Sequence, residues 1–140
     1  MHPPLSGNFQ GLQHVGLPVV DLGRSRAFYA GLGFYEIMAA EFQVDGQTGH
    51  VAMMERGSVV LELYQMPAGH LAEIRSRGDG RIDHIAFSVA DVDAAYAELK
   101  AAGLAPCEPE PVFLKFWDEG CRFFTIRGPD GERLEFNQIL

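Results

Sequence analysis

The chain has 140 residues, of which 47% are hydrophobic and 21% are charged, a composition typical of one globular domain. Acidic residues outnumber basic ones, 19 to 11, and the formal charge is -8. Phosphate groups repel such a charge, and the sequence has no basic stripe. These features argue against nucleic acid and anionic membrane surfaces as partners.

The two cysteines, Cys107 and Cys121, do not make a disulfide framework in a chain of this size. Residues 1–9 have neither the cationic start nor the apolar centre of a signal peptide, and no apolar run has the length of a membrane span. We therefore expect a cytoplasmic protein with reduced thiols and no transmembrane segment.

The first half of the chain predicts a strand, a helix and three more strands, after a loose lead-in over residues 1–10. Residues 12–19 alternate as a strand does. Asp21 is a good helix N-cap, because its carboxylate can accept from the amides of the first turn. The helix is expected to end at Gly31 and Gly33. The remaining elements of this half are a strand at 34–40, a polar connection at 41–49, and a hairpin of strands 50–55 and 58–65 that turns at Arg56 and Gly57.

The second half begins after a joint rich in glycine and proline, residues 66–80. A strand is predicted at 82–89. It is followed by a helix that begins at Asp91 and stops at Gly103.

The rest of the second half predicts an extended connector and a hairpin. Three prolines between residues 106 and 111 favour the connector, because proline removes a donor and fixes φ. Strands at 122–126 and 133–139 flank the turn signal Gly128-Pro129-Asp130-Gly131. The predicted fold class is α+β with two tandem βαβββ modules, in a single domain over 1–140 with modules at 12–66 and 81–140.

The two halves place a histidine at the same point of their first strand. The offset from His14 to His84 is 70 residues, and the same offset joins Asp21 to Asp91 and Gly33 to Gly103. Large apolar residues alternate with each histidine along the strand, so they lie on the opposite face of the sheet. Both imidazoles are therefore expected on a face lined by small residues, with room for a ligand.

Each half also has a glutamate between two large apolar residues of a strand, Glu62 in the first and Glu135 in the second. A carboxylate at such a position is costly unless it has a partner. A single strand histidine or glutamate is more often structural, but the matched placement of all four favours a metal site. Imidazole and carboxylate ligands without thiolate suit an open site for Zn, Ni, Co, Mn or Fe. His2, His50 and His70 lack such partners and are expected in turns or at the surface.

These features resemble the vicinal oxygen chelate superfamily, which includes glyoxalase I, methylmalonyl-CoA epimerase, extradiol dioxygenases and the fosfomycin- and bleomycin-resistance proteins. The resemblance covers residues 12–139. It rests on His14 followed by Asp21 to Ser25, Phe28-Tyr29 and Leu32 to Phe34, and on Asp83 to Ile85 followed by residues 124–136. It implies a metal-lined cavity built by the two modules, and a homodimer. Modules of this family pair within a chain or between chains, so it is open whether all four ligands belong to one chain.

The ligand set is similar to that of bacterial glyoxalase I (lactoylglutathione lyase), with His14, Glu62, His84 and Glu135 as the four metal ligands. The resemblance implies a lyase or isomerase that acts on a small α-oxo or hemithioacetal substrate through a metal-stabilised enediolate. It implies Ni or Zn first, then Co, Mn or Fe. Glu135 is the implied principal base, and Glu62 is the implied ligand and second acid or base.

Other members of the superfamily have different ligand sets. The epimerase usually has glutamine at the position of Glu62, the fosfomycin enzymes use three ligands, and the bleomycin binders lack the set. Glyoxalase I typically has an arginine four residues after the first ligand and an asparagine four after the second. This chain has Pro18 and Met66 there, so those glutathione-binding residues are not matched.

Two other functions stay open. One is a binding protein of the drug-resistance type with the same fold. The other is a non-haem iron dioxygenase, for which two histidines and one glutamate are enough. The aromatic loop at 113–119 is a lid, an interface segment or local packing, and the sequence assigns it no function.

Overall fold

The structure is a computed structural model that describes residues 2–129 and 133–140. The chain divides into two compact units. The first unit is His14–Asp83, and the second contains the residues up to Gln13 together with His84–Leu140. Among the described residues, no helix has the length and apolar character needed to cross a membrane. Asp130 and Gly131 of the predicted turn lie outside the described residues.

The first unit has the predicted order of one strand, one helix and three strands. The elements are β1 (Phe9–Pro18), α1 (Leu22–Gly31), β2 (Tyr35–Val44), β3 (Gln47–Arg56) and β4 (Val59–Gln65). The sheet has the order β2-β3-β4-β1, in which β1 is parallel to β4 and the other neighbours are antiparallel. The first residues of β1 are counted with the second unit.

The second unit repeats this order. The elements are β5 (His84–Val89), α3 (Val92–Ala101), β6 (Val112–Leu114), β7 (Cys121–Arg127) and β8 (Arg133–Ile139). The strands are arranged β5-β8-β7-β6, with β5 parallel to β8 and the other neighbours antiparallel. The two predicted βαβββ repeats are therefore confirmed.

The helices that follow the first strands begin at matched caps, as predicted. The Asp21 carboxylate accepts from the amide of Arg24 at 2.9 Å, and the Asp91 carboxylate accepts from the amide of Ala94 at 3.0 Å. Each bond satisfies an amide that the helix itself leaves without an acceptor.

A second cap is also duplicated, and the sequence reading did not find it. The Gln65 side-chain oxygen accepts from the amide of Leu22 at 2.8 Å, and the Gln138 side-chain oxygen accepts from the amide of Val92 at 3.0 Å. Each glutamine lies three residues after the glutamate of its unit. The last strand therefore fixes the start of the helix with one face and carries the glutamate on the other.

Each unit buries its apolar face under its helix. In the first unit the core contains Leu22 of α1 and Leu63 of β4, and Leu17 of β1 packs against it. In the second unit the core contains Val89 of β5 and Phe136 of β8. His14, Glu62, His84 and Glu135 each lie at an odd offset from these core residues, so they occupy the other face of their strands. The predicted placement of these four residues on the face opposite the aliphatic layer is confirmed.

The polar segment at 41–49 was predicted as a connection, and this was wrong. Strand β2 continues to Val44, β3 starts at Gln47, and Phe42 pairs with Gly49. The turn is only Asp45 and Gly46, which both have positive φ, 50° and 74°, as a two-residue hairpin turn requires. Gly49 is needed for close packing, because a Cβ atom there would lie 2.3 Å from a ring carbon of Phe42.

Three other local predictions need correction. The lead-in is not loose, because Leu5 is buried in the core of the second unit and the Asn8 side chain bonds both backbone groups of Asp91 at 2.8 Å. The segment between the two halves forms a 3₁₀ helix (Ala68–His70) and a short helix α2 (Leu71–Ser76). The side chain of Ile74 in α2 is buried. The second hairpin of the first unit turns one residue later than predicted, between Arg56 and Val59.

Candidate functional site

The first unit holds one imidazole and one carboxylate close together. His14 on β1 is 1% exposed and Glu62 on β4 is 9% exposed. The Nε2 atom of His14 lies 3.6 Å from Oε2 of Glu62. Strands β1 and β4 are parallel neighbours, and Glu62 pairs with Gly16, two residues after the histidine.

The second unit repeats this arrangement. His84 on β5 and Glu135 on β8 are each 8% exposed. The Nε2 atom of His84 lies 4.0 Å from Oε1 of Glu135. Glu135 pairs with Ala86, again two residues after the histidine on a parallel neighbour.

The register explains why each pair meets. Residues two apart on a strand point to the same face. Each glutamate pairs with the residue two positions after the histidine, so the histidine and the glutamate lie on the same face. The residue that pairs with the glutamate is Gly16 in one unit and Ala86 in the other. Neither has a side chain large enough to separate the imidazole from the carboxylate.

The donor set of each pair fits a divalent transition metal. Two ligand atoms that are each about 2.1 Å from one ion lie about 3.0 to 4.2 Å apart, for bond angles between 90° and 180°. The separations of 3.6 and 4.0 Å fall in this range. Burial of carboxylates beside imidazoles is costly unless a cation or a proton compensates it. Each unit therefore supplies two candidate ligand atoms with suitable chemistry and spacing.

The surroundings of the two glutamates differ. Across the antiparallel neighbour, Glu62 pairs with Met53, whereas Glu135 pairs with Thr125. The Thr125 hydroxyl donates to the carboxylate of Glu108 at 2.8 Å, and the Thr125 amide donates to the same carboxylate at 2.6 Å. The predicted extended connector thus reaches the edge of β7 and places a further acidic group beside the strand that neighbours Glu135.

Glu135 also has a contact that sequence reasoning did not assign. Asn137 is 3% exposed, and its Nδ2 donates to Oε2 of Glu135 at 3.2 Å. The available signal was its position two residues after the glutamate on the same face. The first unit has Tyr64 at the equivalent position, so the duplicated pattern did not point to an amide here.

The other described histidines do not form buried pairs of this kind. The Nδ1 atom of His50 lies 4.0 Å from Oε1 of Glu41, but both side chains are exposed. His2 and His50 are exposed, and His70 is half-buried at the 3₁₀ helix, in agreement with their prediction as surface or turn residues. In the aromatic loop, Phe116 is buried and Phe113 is exposed. A Cβ atom at Gly120 would lie 2.4 Å from the ring of Phe113, so at least part of this loop is local packing.

The comparisons with known proteins agree with this fold. A family model described as the Glyoxalase/Bleomycin resistance protein/Dioxygenase superfamily matches residues 11–136. The chain belongs to this superfamily. The similar proteins include YaeR of Escherichia coli (strain K12), 30% identical over 129 residues that cover 89% of this chain and 92% of YaeR. They also include YwkD of Bacillus subtilis (strain 168), 25% identical over 128 residues that cover 90% of this chain and 94% of YwkD. Both relatives are described as uncharacterized proteins.

Solved structures of superfamily enzymes resemble the chain over almost its whole length. Methylmalonyl-CoA epimerase from Mycobacterium tuberculosis gives a TM-score of 0.78 at 22% identity, with 100% of this chain and 93% of that chain covered. A variant of the Streptomyces coelicolor methylmalonyl-CoA epimerase, in complex with 2-nitronate-propionyl-CoA, gives 0.72 at 25% identity and covers 93% and 97%. The predicted superfamily and α+β fold class are confirmed, whereas the glyoxalase I activity is not specifically supported.

Proposed function

We propose that this protein is a metal-dependent isomerase or lyase that moves a proton at a carbon next to a carbonyl group. One observation carries the proposal. An imidazole and a carboxylate are buried 3.6 Å apart in one unit and 4.0 Å apart in the other, in the same strand register. His14, Glu62, His84 and Glu135 are the proposed ligands of one divalent ion, with Ni or Zn as the first candidates. The proposal holds whether one chain or a homodimer supplies the four ligands.

The chain's carboxylates would carry the proton. A divalent ion in the site would act as a Lewis acid on two neighbouring substrate oxygens and stabilise negative charge on them. Glu135 is the proposed principal base. In an isomerisation it would take the proton from one carbon and return it to the adjacent carbon, whereas in an epimerisation Glu62 would deliver a proton to the opposite face of the same carbon. Glu62 is the proposed ligand and second acid or base. Such a pair supports isomerisation without an organic cofactor.

Two substrate classes are supported by different observations. The carboxylate at Glu62, where the epimerase usually has glutamine, favours a hemithioacetal or another small α-oxo compound. The solved structures of methylmalonyl-CoA epimerase, one of them in complex with methylmalonyl-CoA and NH4+, favour an acyl-CoA thioester. Pro18 and Met66 replace the residues that bind glutathione in glyoxalase I, so we propose the hemithioacetal of a thiol other than glutathione before that of glutathione itself.

Metal content tests the site directly. Wild-type protein purified without a chelating tag should contain about one transition metal ion per set of four ligands, or bind added Ni, Co, Zn or Mn. His14→Ala and His84→Ala should both lose it. His50→Ala is the matched control, because His50 is an exposed histidine outside both pairs, and it should keep wild-type content. A protein that contains no metal and does not bind added Ni, Co, Zn or Mn would contradict the proposal and favour a drug-binding protein of the same fold.

Substrate assays then separate the reactions. Conversion of a hemithioacetal into an α-hydroxy thioester, monitored by the rise in thioester absorbance, would support the lyase. Exchange of substrate hydrogen for solvent deuterium in a 2-methyl acyl-CoA thioester would support the epimerase. Oxygen uptake with a catechol and Fe(II) would instead indicate the dioxygenase. Activity that persists in His84→Ala would contradict a reaction at the proposed site.

A further inference from the structure

We propose that Gln13 and Asn137 are positioning residues that set the orientation of the Glu135 carboxylate toward the metal. The inference rests on the proposed function, because it concerns one of the proposed ligands. It goes beyond that function because it assigns different neighbouring side chains to the two proposed glutamate ligands.

The first step is the contact between Asn137 and Glu135. The Asn137 amide is buried, and its Nδ2 donates to Oε2 of Glu135 at 3.2 Å and to Sγ of Cys121 at 3.7 Å. Oε1 of the same carboxylate is the oxygen directed at Nε2 of His84. The donor on Oε2 therefore restricts rotation of the carboxylate and keeps Oε1 on the side of the histidine.

The second step is that Gln13 determines which end of the Asn137 amide faces the glutamate. An asparagine amide can present either its oxygen or its nitrogen. The Nε2 group of Gln13 donates to Oδ1 of Asn137 at 3.2 Å, to the main-chain oxygen of Asn137 at 3.2 Å and to the hydroxyl of Ser88 at 3.1 Å. Because Oδ1 is held by Gln13, Nδ2 is the end that points at Glu135.

The third step is the effect on a ligand. A carboxylate that rotates freely loses conformational entropy when it binds an ion. A hydrogen bond from a neighbouring donor already restricts this rotation in the metal-free protein, so less entropy is lost on binding. Loss of such supporting bonds typically lowers metal affinity about 10- to 100-fold. The first unit has Tyr64 in place of the asparagine and Met53 in place of Thr125, so the side chains beside Glu62 differ from those beside Glu135.

The test uses substitutions that keep side-chain shape. Gln13→Glu replaces a donor by an acceptor, so it should turn the Asn137 amide over and point Oδ1 at the Glu135 carboxylate. Gln10→Glu is the matched control, because it adds the same charge to the same strand at an exposed position. Asn137→Ala removes the donor itself. The affinity of each protein for Co²⁺ is measured by titration of the visible absorption spectrum, together with the thermal unfolding of the metal-free protein.

We expect Co²⁺ affinity to fall about 10- to 100-fold in Gln13→Glu and Asn137→Ala, and to change less than about twofold in Gln10→Glu, whose side chain lies outside the network. The double variant Gln13→Glu with Asn137→Ala should bind no more weakly than Asn137→Ala alone, because Gln13 acts through Asn137. A folded Gln13→Glu protein with wild-type affinity and spectrum would overturn the inference and leave the proposed function standing. Additive losses in the double variant would also overturn it. Wild-type protein that binds no Co²⁺ would remove both the inference and the proposed function.

Discussion

The substitution Glu135→Gln tests the assignment of the base with almost no change in shape. The Asn137 amide donates to Oε2, so the new side-chain amide must turn its oxygen toward Asn137 and its NH₂ group toward His84. It keeps the supporting hydrogen bond but can neither accept a proton nor bind a metal through the atom that replaces Oε1. We therefore expect the free energy of unfolding of the metal-free protein to change by less than about 1 kcal/mol.

Turnover should respond very differently. Removal of a general base typically costs about 10²- to 10⁴-fold in rate, which corresponds to about 2.7 to 5.5 kcal/mol in the activation free energy. The assay is solvent deuterium incorporation into whichever thioester or hemithioacetal the wild-type protein turns over. Glu98→Gln on α3 is the control, because Glu98 is exposed and the charge change is the same. A Glu135→Gln variant that keeps more than about a tenth of wild-type turnover would refute Glu135 as the base, since that loss lies below the range for a lost base.

Three further predictions concern the scaffold. Leu63→Ala should lower the free energy of unfolding, measured by urea denaturation, by about 3 kcal/mol, because Leu63 is 0% exposed. Leu12 is 59% exposed, so Leu12→Ala should change the same free energy by less than about 0.5 kcal/mol. Equal effects of the two substitutions would contradict the assignment of the core face. Asp91→Ala should cost about 1 kcal/mol through loss of the helix cap, and Asp91→Ser should restore most of it in the same assay. The Arg122 guanidinium holds the pKa of the Asp93 carboxyl below its usual value through a paired hydrogen bond. Arg122→Gln should therefore lower the free energy of unfolding by at most about 1 kcal/mol, because the ion pair is largely exposed. This loss should be present above about pH 5 and vanish as the pH falls below about 4, because the Asp93 carboxyl then becomes protonated. A loss of stability that grows on acidification would contradict the prediction.

The paired histidines and the capping aspartates could be predicted from the sequence because each was present at matched places in both halves, whereas the duplicated glutamine cap was missed. Strand alternation placed His14 and His84 on the faces opposite the core, and the acidic residues before each helix predicted the caps at Asp21 and Asp91, as the structure shows. Features that occur once, or that depend on tertiary packing, were missed. Strand β2 was predicted too short because the residues of its second half are largely polar. That half is stabilised by its pairing with β3 and not by the strand preference of its residues.

The contact of Glu135 with Asn137 shows a different limit of sequence reasoning. Alternation places the two side chains on one face, but it does not state which end of an amide points at a carboxylate. That depends on Gln13, which is 124 residues away in sequence. No local pattern connects these residues, so only the folded chain reveals that one of the two proposed carboxylate ligands has a buried amide as its partner.

The difference between the two units bears on the reaction. A site in which both carboxylates had identical surroundings would give them equal tendencies to hold the metal and to take a proton, and nothing would direct the proton to one face of the substrate. In this chain the histidine and the glutamate have the same strand register in both units. The residues beside the glutamates are methionine and tyrosine in the first unit, and threonine and asparagine in the second. The shared register preserves the spacing of each imidazole and carboxylate. In the proposed mechanism the unlike neighbours would supply the asymmetry that separate functions for Glu62 and Glu135 require. For this reason Glu62→Gln and Glu135→Gln should differ in their effects on metal affinity and on turnover.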